Sequence, residues 1–142
     1  MTIKAILDGK GHDVASISGT ASVHEAVAML AERRIGAVPV VDNGEVRGIF
    51  SERDVVYGLA KTGVEGMSGP VANVMTSPPV TVTSDTAVMA ALSLMTRRRI
   101  RHLPVVDDGA LIGFISIGDL VKYRIDRIES EAAAMRDYIQ GA

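Results

Sequence analysis

The sequence predicts an α+β fold in which two pseudo-symmetric β-α-β-β-α motifs pack as one module that ends in a long C-terminal helix. Three observations carry this reading. The chain repeats itself at an offset of 65, each copy switches from helix-spaced to alternating apolar residues at the same place, and apolar (47%) and charged (23%) side chains stand in globular proportion over 142 residues. Setting Arg33–Val56 (RRIGAVPVVDNGEVRGIFSERDVV) against Arg98–Val121 (RRIRHLPVVDDGALIGFISIGDLV) gives 12 identities in 24 pairs. The same offset sets Ser16-Ile17-Ser18 on Thr81-Val82-Thr83, and Val23 and Ala26 on Val88 and Ala91. Farther upstream the offset becomes 68, because Ile3-x-x-Ile6-Leu7 matches Val71-x-x-Val74-Met75. The first copy therefore carries a three-residue insertion near Gly9–Asp13.

The elements follow in chain order. The N-terminus reaches Asp8 without an apolar core or a cleavage site of the secretory kind, and reads as a cytoplasmic start. Val14–Ile17 and Pro79–Val82 are short strand candidates. Ser22–Arg34 and Thr86–Arg99 carry helix-spaced apolar residues, with Thr20 or Ser22 and Ser84 or Asp85 as candidate N-caps. Val38–Val41 and Val46–Phe50 then alternate around Asn43-Gly44, a pair that tolerates the positive φ of a type I′ hairpin turn; Asp108-Gly109 takes that place in the second copy. Pro39 and Pro104 have no N–H to donate, which assigns them to a strand start or an edge. The last helix of each copy starts at Ser51 or Ser116. Lys61–Pro70, rich in glycine, is the linker, and the organisation is residues 1–62 as the first motif with an N-terminal helix, 63–70 as linker, 71–125 as the second motif and 126–142 as a helical extension. A motif of this size leaves an apolar face open, so the two copies are expected to bury each other.

Composition removes several classes of function. The net charge of −2 and the five aromatic residues supply neither the basic field nor the stacking platforms of a general nucleic-acid binder. Without cysteine there is no disulfide, thiolate or cysteine-metal chemistry. The mean hydropathy of +0.24 reflects core, since every apolar run breaks well before the ~18 residues of a membrane span. His12, His24 and His102 have no metal-ligand spacing, and no nucleophile elbow or phosphate-binding glycine loop occurs. No catalytic residue, metal or catalytic cofactor is expected.

The pattern G-h-h-S-x-x-D occurs once per copy, as Gly48-Ile49-Phe50-Ser51-Glu52-Arg53-Asp54 and Gly113-Phe114-Ile115-Ser116-Ile117-Gly118-Asp119. Two readings fit it. Ser-x-x-Asp ahead of an apolar helix is close to a capping box. It also sets a carboxylate one turn from a helix N-terminus, where a ribose diol and an anion find partners. Gly48 and Gly113 fit either a close ligand approach or a tight strand bend.

Together with the repeat and the twofold h-P-V-V-D-x-G (Val38–Gly44, Leu103–Gly109), these motifs resemble the tandem cystathionine-β-synthase (CBS) domain pair, or Bateman module, over residues 1 to 125. Stand-alone bacterial CBS-pair proteins, with S-E-R-D-V/I-V and a terminal V-K-Y/H-R-I helix, look most similar. The resemblance implies a non-enzymatic regulatory or sensor module whose two clefts bind adenosine-containing ligands: AMP, ADP, ATP, S-adenosylmethionine or NAD(H). It implies that Asp54 and Asp119 hold ribose hydroxyls and that Ser51 and Ser116 contact ribose or phosphate. Backbone near Ser16-Ile17 and Val80-Thr81, with apolar residues near Val38 and Leu103, would sandwich adenine.

The copies diverge where phosphate would bind. The second has Arg101-His102 and the first Gly36-Ala37, which predicts inequivalent sites; Arg53 stands opposite Gly118 and is a candidate replacement charge or an exposed helix arginine. Arg33-Arg34 and Arg97–Arg99 suit helix C-termini. The second functional reading is a nucleic-acid-binding CBS protein using the Arg97-Arg98-Arg99-Ile100-Arg101 cluster. Past Lys122, Ile125, Ile128, Ala132, Met135 and Ile139 continue a seam begun at Val121, on a helix of about 36 Å at ~1.5 Å per residue. Either its own module or a second copy covers that seam; a homodimer is expected, with an unidentified regulated protein as further partner.

Overall fold

The computed structural model describes residues 1–141; Ala142, the last residue of the expected 126–142 extension, lies outside the described residues. Its helices are α1 (Ile3–Lys10), α2 (Val23–Arg33), α3 (Glu52–Thr62), α4 (Val88–Arg98) and α5 (Ile117–Gly141). Its strands are β1 (Ala37–Asp42), β2 (Glu45–Ser51), β3 (His102–Asp107) and β4 (Ala110–Ser116), and two 3₁₀ turns (Val64–Ser68, Val71–Asn73) lie between the copies. The fold class and the twofold repeat are as the sequence predicts.

Each copy holds one antiparallel hairpin. Ala37 pairs with Ser51 in the first and His102 with Ser116 in the second. Both ladders slip between equivalent residues, Val40/Val41 and Val105/Val106, which leaves Arg47 and Ile112 as the extra residues of matching bulges. The turns have positive φ at Asn43 (53°) and Gly44 (77°), and at Asp108 (49°) and Gly109 (79°), the geometry Asn-Gly and Asp-Gly favour. The aspartate before each turn secures the segment beside it. Asp42 accepts from Ser18 Oγ at 2.7 Å, and Asp107 from the Ser84 N–H at 2.9 Å.

The expected strands at Val14–Ile17 and Pro79–Val82 shrink to one parallel bridge each, Ile17 with Val40 and Val82 with Val105. The prolines account for this. Ile17 N–H donates to the Pro39 carbonyl (3.1 Å) and Val41 N–H to the Ile17 carbonyl (2.9 Å); the next parallel bond, from residue 39 to the Ala15 carbonyl, has no donor. Pro104 stops the ladder toward Val80 in the same way. Of the two expected places, strand start or edge, the prolines take the second: both sit inside β1 and β3, with the missing N–H facing the stunted side.

Helix caps divide likewise. Ser22 caps α2, accepting from Glu25 N–H at 3.0 Å. Neither Ser84 nor Asp85 caps α4, which begins after Ala87 with no side-chain cap, because Ser84 is committed to Asp107. Arg34 and Arg99 close α2 and α4 in the left-handed conformation, with the preceding basic residues in the last turns.

The two copies exchange their leading segments. Ile3, Ile6 and Leu7 of α1 are buried among Val88, Ala91, Met95, Leu103, Ile115 and Leu120 of the second copy, while Val71, Val74 and Met75 pack with Ile17, Leu30, Val38 and Phe50 of the first. Backbone bonds fix both joints: Val88 N–H donates to Met1 (3.1 Å), and Val71 N–H to Ala21 (2.8 Å). A fully buried Ile, Leu or Phe is worth about 1.5–3 kcal/mol, so neither copy keeps its core without the segment lent by the other. This exchange explains the two glycines. A Cβ on Gly48 would meet the Thr76 carbonyl at 2.7 Å and Met75 Sδ at 2.8 Å, and one on Gly113 would meet Leu7 Cδ2 at 2.5 Å. They admit the borrowed segment, not a ligand.

The 25-residue α5 rises about 38 Å at ~1.5 Å per residue. Leu120 is buried and Tyr123 half-buried, but Val121, Ile125, Ile128, Met135 and Ile139 are exposed. The chain's own module does not cover the seam.

Candidate functional site

A cleft of about 490 Å³ opens between the copies. The first contributes Gly36, Ile49, Val56 and the start of α3 (Ser51, Glu52, Arg53); the second contributes Thr76, Pro78–Val80 and Ile100–His102. Ile49 and Thr76 clasp its wall through reciprocal backbone bonds of 3.0 and 2.9 Å. Ile49, Pro79, Val80 and Ile100 give it an apolar side, while Arg53 and Arg101 bring guanidinium groups and Glu52 a carboxylate.

Local structure fixes the charged rim. Arg53 lies in the first turn of α3, and its Nη1 donates to the Arg99 carbonyl at 3.0 Å, an oxygen made available where α4 ends. His102 opens β3, half-buried, and stacks on Phe114 with ring centroids 5.6 Å apart and planes 11° from parallel. Burial pushes its imidazole below the usual histidine value and the Lys10 ammonium adds to this, while Glu52 and Asp119 pull the other way.

The two Ser-x-x-Asp motifs cap α3 and α5. Asp54 accepts from Ser51 N–H (2.8 Å), Ser51 Oγ (3.1 Å) and Thr76 Oγ1 (2.8 Å). Asp119 accepts from Ser116 N–H (2.8 Å), and its own N–H donates to Ser116 Oγ (3.1 Å). Lys10 Nζ lies 2.6 Å from Asp119 Oδ2. Burial alone would raise the Asp119 carboxyl, but the Lys10 ammonium and the Ser116 N–H outweigh it and hold the group below its usual value.

Of the residues singled out in the sequence, Ser51, Arg53, Val80, Arg101 and His102 converge on this cleft. Asp54 is buried behind Ser51 and does not line it; Ser116 and Asp119 lie at the start of the other final helix. Val38 and Leu103 have no exposed surface and pack their side chains in the cores; Ile17, expected to offer backbone, has very little. Ser16 and Thr81 are exposed and outside the cleft lining. Gly36 lines the same cleft as Arg101 and His102. Glu52, Thr76 and Lys10 were not foreseen. For Lys10 and Thr76 the available signal was the change of offset from 65 to 68, which shows that the leading segments differ where they meet the Ser-x-x-Asp helices.

The chain belongs to the CBS-domain family, whose model matches it twice, over residues 10–61 and 71–126. It is 38% identical over 125 residues to the mitochondrial CBS domain-containing protein CBSX3 of Arabidopsis thaliana, covering 84% of this chain and 61% of that protein. The chain thus spans about three fifths of that relative's length. It is 29% identical to YhcV of Bacillus subtilis over 92% of this chain and 91% of that one. A CBS-domain protein of Agrobacterium tumefaciens has the same fold, with a TM-score of 0.84 and 40% identity over 87% of this chain and 99% of its own. The CBS-domain protein PAE2072 of Pyrobaculum aerophilum, solved with AMP, aligns with a TM-score of 0.74 and 28% identity over 84% of this chain and 89% of that one. Among the described residues, no helix is long and apolar enough to cross a membrane.

Proposed function

We propose that this chain is a non-enzymatic regulatory module that binds an adenosine-containing nucleotide in the cleft between its CBS motifs. The observation that carries this is the cleft itself: Ile49, Pro79, Val80 and Ile100 line it together with Arg53 and Arg101, one arginine from each copy, beside the N-terminus of α3. A base stacks on apolar surface, and guanidinium forks suit phosphate oxygens. AMP in PAE2072 supports an adenosine ligand. Ser51 contacts ribose or phosphate. Asp54 is buried and already accepts from Thr76, whereas Glu52 lines the cleft and offers a second carboxylate for a ribose hydroxyl.

Because the ligand is gripped by both copies, its binding pulls α3 toward β3. The exposed seam of α5 then carries the change to a second copy of the chain or to a regulated protein. Mass spectrometry of the small molecules released when the purified native protein is denatured tests this. An adenosine nucleotide is expected; a copurifying ligand of another class contradicts the reading.

A further inference from the structure

The insertion near Gly9–Asp13 lengthens α1 to eight residues, whereas the matching segment of the second copy, Val71–Asn73, makes a single 3₁₀ turn. The extra length delivers Lys10 to β4. Its ammonium donates to the Phe114 carbonyl at 2.7 Å and to the Asp119 carboxylate at 2.6 Å. At the repeat offset Phe114 corresponds to Ile49 and Asp119 to Asp54, and in the first copy both partners belong to Thr76, through its N–H (2.9 Å) and hydroxyl (2.8 Å). One lysine side chain therefore stands where a threonine edges the open cleft. Threonine is short and neutral; lysine brings a long stem and a cation onto the carboxylate. His12 ties the same segment down a second time, its Nδ1 donating to the Ile112 carbonyl at 3.0 Å.

We propose that Lys10 is the built-in occupant of the second, pseudo-symmetric cleft, so that a nucleotide enters the open cleft first and the second only when the Lys10–Asp119 pair separates. This rests on the nucleotide reading of the open cleft. The pair is partly exposed on both sides, so solvent competes for it and a ligand can displace it. The two clefts also communicate. His102 lines the open one and stacks on Phe114, the residue whose carbonyl holds Lys10. Filling one cleft therefore moves the ring against which the other is latched.

Calorimetric titration of the full chain with AMP, alongside Lys10→Met and Lys10→Arg, tests the proposal. A single AMP per chain is expected for the wild type and for Lys10→Arg, and two for Lys10→Met. The ring titration of His102, followed by NMR without nucleotide, should move upward in Lys10→Met because an ammonium that holds it down is gone. Two equivalent sites in the wild type, or unchanged stoichiometry and an unchanged His102 titration in Lys10→Met, overturn the inference while leaving nucleotide binding intact. No AMP bound by any of the three proteins overturns the nucleotide reading and this inference with it. Should Lys10→Met fail to fold, the stoichiometry of the wild type and of Lys10→Arg decides.

Discussion

Arg53 Nη1 donates to the carbonyl oxygen of Arg99 across 3.0 Å, joining the first turn of α3 in one copy to the residue that closes α4 in the other. The contact lies on the rim of the cleft and holds one guanidinium over its opening. An exposed bond of this kind adds little to stability, but it orders the cation before a phosphate arrives. Arg53→Ala is expected to weaken AMP binding by about 1–2 kcal/mol, roughly five- to thirtyfold in Kd, with little change in thermal midpoint. Calorimetry beside a melting curve separates the two effects, and an unaltered Kd would remove Arg53 from the site.

Asp54 is the buried charged residue of the described chain, and every bond it makes is internal. Asp54→Ala strips the cap from α3 and releases Thr76, at an expected cost of about 1–2 kcal/mol in urea unfolding. A ribose role adds a distinct signature: the variant should lose affinity for AMP but not for 2′,3′-dideoxy-AMP. Equal losses for both ligands would reduce the motif to a cap, and Asp119→Ala puts the same question to the second copy.

Acid should destabilise the protein in two stages. His102 is held below the usual 6.5, so the unfolded chain binds the proton more readily and stability falls as pH drops below about 6.5 toward the folded-state value. Asp107, hydrogen-bonded by Ser84, and Asp119 are held below the usual 3.8; their stabilisation is complete above that value and disappears as pH falls through their lower folded values. Urea midpoints measured from pH 8 to pH 3 should show the first loss in the wild type and not in His102→Gln. A first loss of equal size in both would assign it to another group.

The exposed seam of α5 argues for a partner helix. Ile125, Ile128, Met135 and Ile139 are each about half or more exposed along the part of the helix that extends beyond the module. A symmetric dimer covers such a seam twice with one interface. Truncation after Tyr123 should halve the mass found by light scattering, or make it depend steeply on concentration. A shortened chain with the oligomeric state of the full one would exclude the tail from assembly.

Much of this architecture is legible in the residues. Asn43-Gly44 and Asp108-Gly109 name their own turns, and Ser51 and Ser116 mark helix starts, because each depends on chemistry within a few residues. Pairing between distant segments is less visible. Pro39 and Pro104 advertise a missing donor, but only the fold shows that the donor would have met Ala15 or Val80, which is why two expected strands collapse to bridges. Periodicity makes α1 apolar on one face without saying that this face serves the second copy. Val38 and Leu103 show the same limit: an apolar residue beside a cleft motif reads as a base-stacking surface, and only the fold shows its side chain packed in the core. Lys10 escaped notice because a lone lysine at a helix end is ordinary, and its meaning comes from Asp119, 109 positions away.

On the proposed function, the cleft between the copies takes an adenosine nucleotide by its phosphate as well as its base. Titrating the full-length wild type and Arg101→Ala with AMP and with adenosine at concentrations up to about 1 mM, where even a weak site of about −4 kcal/mol fills by half, tests it most directly. Saturable AMP binding and weaker adenosine binding are expected, with an Arg101→Ala protein that loses AMP affinity until it binds the two alike. No saturable binding of AMP, or AMP binding that Arg101→Ala leaves unchanged, would contradict it.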